Sequence, residues 1–159
     1  MDGLKRSERK TCVICIGIPA SGKSTFSVTQ LPGFLRINLD QLHTRAREKK
    51  VFEKALTDGI SFVIDNTTIS AAGRQRYIVP AKNAGYRLVG LYFKSSIKEC
   101  LERNKGRTGT ACVPDAAIKH MGKSIELPDY SEGFDELYHI EMGSSSYVVS
   151  EWKCEDNEV

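Results

Sequence analysis

Nine consecutive residues, Gly17-Ile18-Pro19-Ala20-Ser21-Gly22-Lys23-Ser24-Thr25, constrain this chain more than any other part of it. They satisfy G-x-x-x-x-G-K-[ST] at each fixed position, directly after an apolar β-branched run and at the head of a helical pattern. Glycines let a backbone close around phosphate, so that its N–H groups and the helix N-terminus face the negative charge. The pattern therefore wraps residues 17–25 around the phosphates of a nucleotide such as ATP. Lys23 reaches the β- and γ-phosphates, and the Ser24 hydroxyl is a ligand for Mg²⁺. A chance match in a flexible strand-to-helix loop is the rival explanation, and the flanking strand and helix argue against it.

The rest of the sequence has the organisation such a loop needs. Apolar strand-like runs alternate with helical patterns: strands over 11–17, 34–38, 60–65 and 87–94, helices over 23–30, 39–56, 70–84, 97–104 and 114–122. Two short apolar segments follow, at 136–142 and 147–152. This alternation predicts an α/β fold of three layers, a P-loop NTPase with a parallel sheet of about five strands flanked by helices. The length of 159 residues suits one compact unit. The expected division is a flexible lead-in over 1–10, a P-loop domain over 11–153 and an acidic tail over 154–159.

Charge is polarised along the chain. From residue 126 onward there are ten acidic residues and one basic residue, Lys153, which leaves 22 basic against ten acidic residues before it. The amino-terminal four-fifths is suited to an anion such as polyphosphate or nucleic acid, although the two regions can also neutralise each other in the fold. The longest apolar run, Val13 to Ile18, is too short for the roughly 20 residues that span a bilayer, and residues 1–10 carry no signal-like apolar segment. A cytoplasmic location with reduced cysteines is the expectation, and nothing points to a membrane or a protein partner. Cys12 and Cys15, three apart on a strand, face opposite ways and read as core. His43, His120 and His139 have no metal-ligand spacing.

Three further groups carry chemistry. Asp40 follows the second strand, where ligands bind in open α/β sheets; it can accept a proton from an attacking hydroxyl, or cap the helix that begins there. Asp65 ends the third strand in Phe62-Val63-Ile64-Asp65-Asn66-Thr67-Thr68. It can hold Mg²⁺ through water or orient Asn66 and Thr67 toward substrate, and a simple turn is the alternative. Arg103 and Arg107 flank the basic loop 105–113, where guanidinium groups can fold over a nucleotide or merely face solvent. A guanine-specific GTPase would need N-K-x-D late in the chain; the nearest string, Asn104-Lys105-Gly106-Arg107, ends in the wrong charge.

Three blocks, GIPASGKST at 17–25, DNTTISAAGRQRY at 65–77 and CLERNKGRTGTACVP at 100–114, make the chain resemble the kinase domain of the polynucleotide 5′-hydroxyl kinases, P-loop kinases of AAA type, over about residues 11–142. The resemblance implies an adenylate-kinase-like fold with a small basic lid, and transfer of the ATP γ-phosphate to a 5′-hydroxyl end of DNA or RNA with Mg²⁺. It implies Lys23 and Ser24 on phosphate and metal, Asp40 as general base, Asp65, Asn66 and Thr67 near the acceptor, and Arg107 as the lid arginine on ATP. Two departures stand out. The phage enzyme has an arginine important for activity three residues after its catalytic aspartate, where this chain has His43, with Arg45 and Arg47 as possible replacements. The 3′-phosphatase motif D-x-D-x-T of the family's better-known members is missing from this sequence.

The function expected first is thus a polynucleotide 5′-hydroxyl kinase, gripping acceptor phosphates through Arg45, Arg47, Arg74 and Arg76. A P-loop kinase for a small hydroxyl metabolite is second, because one scaffold serves many acceptors. A non-catalytic nucleotide-binding module is third; it would need neither Asp40 nor the lid arginines.

Overall fold

The computed structural model of the protein describes residues 9–143 and 146–153. The expected acidic tail and most of the expected lead-in lie outside these residues. In chain order the elements are β1 (Thr11–Ile16), α1 (Lys23–Gln30), β2 (Leu35–Ile37), α2 (Leu39–Leu42), α3 (Arg45–Asp58), β3 (Phe62–Ile64), α4 (Ala71–Asn83), β4 (Arg87–Lys94), α5 (Ile97–Lys105), α6 (Asp115–Ser124), β5 (Glu136–Met142) and β6 (Tyr147–Glu151).

The strands form one sheet in the order β2-β3-β1-β4-β5-β6. The first five run parallel and β6 returns antiparallel on β5. The five parallel strands match the expectation, and the last apolar segment adds an antiparallel sixth strand at the edge. β1 lies between β3 and β4, and each of its six residues is buried. A strand covered on both faces reads as a continuous apolar run, as Cys12–Ile16 does.

Side-chain alternation along β1 divides the core. Cys12, Ile14 and Ile16 join a cluster with Phe52 and Ala55 of α3 and Tyr77, Ile78 and Ala81 of α4. Val13 and Cys15 face the other way, against Phe26 of α1 with Leu91 and Phe93 of β4. The two cysteines thus occupy opposite faces, as their spacing predicts, and burial pushes both thiols well above their ordinary range. A third cluster joins Cys100 of α5 and Ile118 of α6 to Ile18 and Ala20 of the loop after β1.

The single helix expected over 39–56 is two helices. Asn38 caps α2 by accepting from the Gln41 N–H, and Thr44 caps α3 by accepting from the Arg47 N–H. Between them His43 takes a φ of 67°, which breaks the helix. Two cap residues six apart favour this bend over a continuous helix. Elsewhere Ser70 caps α4, and Ser96 with Glu99 forms a reciprocal capping box on α5. No helix among the described residues is long and apolar enough to cross a membrane.

One expected surface cation belongs to the interior. The Arg74 side chain is fully buried, ion-paired at 2.8 Å with Glu132 and donating to the Thr68 carbonyl at 2.8 Å. It is not placed to grip an acceptor. Arg74→Ala strands the Glu132 carboxylate and is expected to cost about 3–5 kcal/mol of stability. Urea denaturation measures this; a loss below about 1 kcal/mol would return Arg74 to the surface.

Candidate nucleotide and acceptor site

The parallel register sets the site. Ile14 of β1 pairs with Ile64 of β3, and Ile37 of β2 pairs with the same Ile64, so the loops after all three strands leave the sheet at one edge. They meet at a cleft of about 420 Å³. It is lined by Pro19, Ala20, Lys23 and Ser24 from the loop after β1 and the start of α1, by Asp40 and Arg45 from α2 and α3, and by Asp65, Asn66 and Thr67 from the loop after β3.

The loop after β1 is folded by local constraint. Ala20 and Gly22 have φ of 65° and 99°. The left-handed φ is what requires glycine at 22. The Gly17 N–H donates to the Thr67 carbonyl at 3.1 Å, tying this loop to the one after β3. Arg103 braces it from outside, donating to the Ala20 carbonyl at 2.9 Å and the Ser95 hydroxyl at 3.2 Å. Arg103 does not line the cleft, whereas Arg107 does.

Lys23 lies buried in the concavity, its Nζ donating to the Ile18 carbonyl at 2.7 Å and to the Ser21 hydroxyl at 3.3 Å. Burial pushes its pKa down to about 8, with the Asp65 charge opposing that shift. The ammonium is thus held where phosphate oxygens would restore lost solvation.

Asp65 is nearly inaccessible, and its two oxygens differ. Oδ2 accepts from Arg36 Nε at 2.7 Å, while Oδ1 is buried and lacks a hydrogen-bond partner. The same Arg36 donates through Nη2 to the Ser24 hydroxyl at 3.1 Å. A carboxylate oxygen without a partner and a serine hydroxyl, lining the same cleft and bridged by one arginine, are donors of the hard type that Mg²⁺ takes, so Ser24 and Asp65 fit the ion.

Asp40 is exposed at the cleft, with Asn38 serving as the cap of its helix. The capping alternative for Asp40 therefore gives way. Asn66 fixes this helix in place: its Oδ1 accepts from the Leu39 N–H at 2.9 Å and its Nδ2 donates to Glu48 at 2.7 Å. Glu48, almost fully buried, also accepts from Tyr77 at 2.8 Å and Arg45 at 3.0 Å. Of the arginines considered for the acceptor, Arg45 and Arg76 line the cleft. His43 and Arg47 are exposed outside it. Among the described residues no cluster of three or more His, Cys, Asp or Glu could hold a metal by itself.

Sequence reasoning missed Arg36 and Glu48. Glu48, an acid on the face of α3 that also carries Phe52 and Ala55, was the available signal; Arg36, alone in a short strand, offered none.

Comparison with known proteins agrees with this geometry. The sequence profile of the AAA domain family matches residues 12–128. A putative bifunctional polynucleotide phosphatase/kinase of Acanthamoeba polyphaga mimivirus is 32% identical over 140 residues, covering 83% of this chain and 33% of that protein. The bifunctional polynucleotide phosphatase/kinase of Schizosaccharomyces pombe is 28% identical over 141 residues, covering 86% of this chain and 35% of that protein. The chain thus spans about a third of the length of these curated relatives. A gluconokinase from Sinorhizobium meliloti 1021 shares the fold, with a TM-score of 0.57 at 18% identity, over 85% of this chain and 84% of that one. The family profile over most of the chain, on a sheet and loop of this geometry, shows that the chain belongs to the AAA domain family and has a P-loop kinase fold.

Proposed function

We propose that the protein transfers the γ-phosphate of ATP to the 5′-hydroxyl end of a polynucleotide. The observation that supports this reading is one cleft lined by the buried Lys23, by Asp40 and by the two arginines Arg45 and Arg76. The relatives named as polynucleotide phosphatase/kinases favour the same acceptor.

Lys23 and the loop N–H groups hold the β- and γ-phosphates, and Arg107 closes over the nucleotide from the lid. Mg²⁺, held by Ser24 and by Asp65 directly or through water, would neutralise charge on the phosphates. Asp40 accepts the proton of the 5′-hydroxyl as its oxygen attacks the γ-phosphorus and the bond to ADP breaks. Asn66 keeps Asp40 at its station through the Leu39 N–H. Arg45 and Arg76 neutralise phosphates next to the acceptor end. Arg45 thereby does the work that the family assigns to an arginine at the position of His43.

Asp40→Asn is nearly isosteric and cannot take the proton, so transfer should slow by on the order of 10²–10⁴-fold with nucleotide affinity kept. A parallel collapse of ATP affinity in a binding titration would make Asp40 a metal ligand instead.

The acceptor is tested with a short single-stranded 5′-hydroxyl oligonucleotide against its free nucleoside and a sugar, at low and moderate salt. The oligonucleotide should be strongly preferred. Its KM should climb roughly fivefold per tenfold in salt for each phosphate neutralised, the slope for a single strand. Equal phosphorylation of nucleoside or sugar would replace this reading with a small-molecule kinase.

A further inference from the structure

Arg36 of β2 is partly buried outside the residues that line the cleft, and it spans two cleft residues that a P-loop cation would need. Its Nη2 donates to the Ser24 hydroxyl at 3.1 Å and its Nε to Asp65 Oδ2 at 2.7 Å. The Asp65 side chain is 1% exposed, so its charge needs a cation in the empty site, and Arg36 is its ion-pair partner. Lys23, the other nearby cation, is turned to the Ile18 carbonyl and the Ser21 hydroxyl.

We propose that Arg36 is a built-in occupant of the divalent-cation position, bridging Ser24 and Asp65 until a metal-bound nucleotide enters. The inference rests on the reading of residues 17–25 as a nucleotide site. A guanidinium and a divalent cation on the same hydroxyl repel each other, so Arg36 must leave Ser24 before that oxygen can become a metal ligand. The contact with Asp65 Oδ2 need not break, because Oδ1 is the oxygen without a partner. Arg36 then pins Asp65 with its free oxygen available to the metal. Two consequences follow from the geometry. Arg36 stabilises the empty protein, and it sets the Mg²⁺ concentration at which nucleotide binds.

The test uses the full chain, with thermal unfolding in EDTA and in Mg²⁺, and calorimetric titration of ADP across a Mg²⁺ series. In Arg36→Gln the melting temperature should fall in EDTA and recover in Mg²⁺ with ADP, giving a larger Mg²⁺-dependent rise than in the unaltered protein. The Mg²⁺ midpoint for ADP binding should fall by roughly tenfold, the scale of one lost charge-assisted hydrogen bond. Arg36→Lys keeps a charge on Asp65 but cannot fork to both groups, so it should fold and still show a lowered midpoint. An unchanged or raised midpoint in both variants, or an equal loss of melting temperature with and without Mg²⁺, would make Arg36 a structural ion pair only and overturn the proposal. If the unaltered protein shows no Mg²⁺-dependent ADP binding at all, the nucleotide-site reading itself falls, and this inference with it.

Discussion

The hydrogen bond from the Gly17 N–H to the Thr67 carbonyl holds together everything else at the site. It joins the loop after β1 to the loop after β3, and a second link, the Thr68 hydroxyl to the Cys15 carbonyl at 2.6 Å, locks the same junction. Thr68 takes a φ of 41° there, a conformation unfavourable for a β-branched residue. The strain is borne because β1 and β3 are fixed in register by buried apolar pairs, Val13 opposite Val63 and Ile14 opposite Ile64. Packing of the central sheet thus becomes the positional accuracy of the phosphate loop.

From that junction the polar network extends outward by direct contacts. Asp65 sits beside Arg36 and Ser24; Asn66 joins the start of α2 to Glu48; Glu48 gathers Tyr77 and Arg45. The buried Glu48 carboxylate has three donors to satisfy it, which is the condition under which a buried charge can be retained. The network couples the phosphate end of the cleft to the elements that carry Asp40 and Arg45. A disturbance of Glu48 would be felt at both Asn66 and Arg45.

The sheet and the phosphate loop were legible because each rests on local sequence. The run Cys12–Ile16 is apolar without interruption, and residues 17–25 satisfy a motif whose glycines have a conformational reason. Asp65 was legible as the polar end of an apolar strand. Arg36 was not, since its partner Asp65 is 29 residues away and the two meet only through the pairing of β2 with β3. Arg74 was misread as a surface cation for the same reason: its partner Glu132 lies 58 residues on. The bend at His43 was hidden by helical periodicity on both sides, although Asn38 and Thr44 were the caps that produce it. The sixth strand was masked by its exposure, since Val148 at an edge carries no alternation strong enough to separate strand from loop.

In the proposed mechanism this cleft binds the phosphates of a nucleotide through the buried ammonium of Lys23. Calorimetric titration of Mg²⁺ and ADP into the unaltered protein and into Lys23→Ala, with melting temperatures of both, measures that contact. The unaltered protein should bind saturably and Lys23→Ala should lose affinity by roughly tenfold or more, the scale of one charge-assisted hydrogen bond to phosphate, with the fold retained. Equal affinity in the two folded proteins would contradict that mechanism.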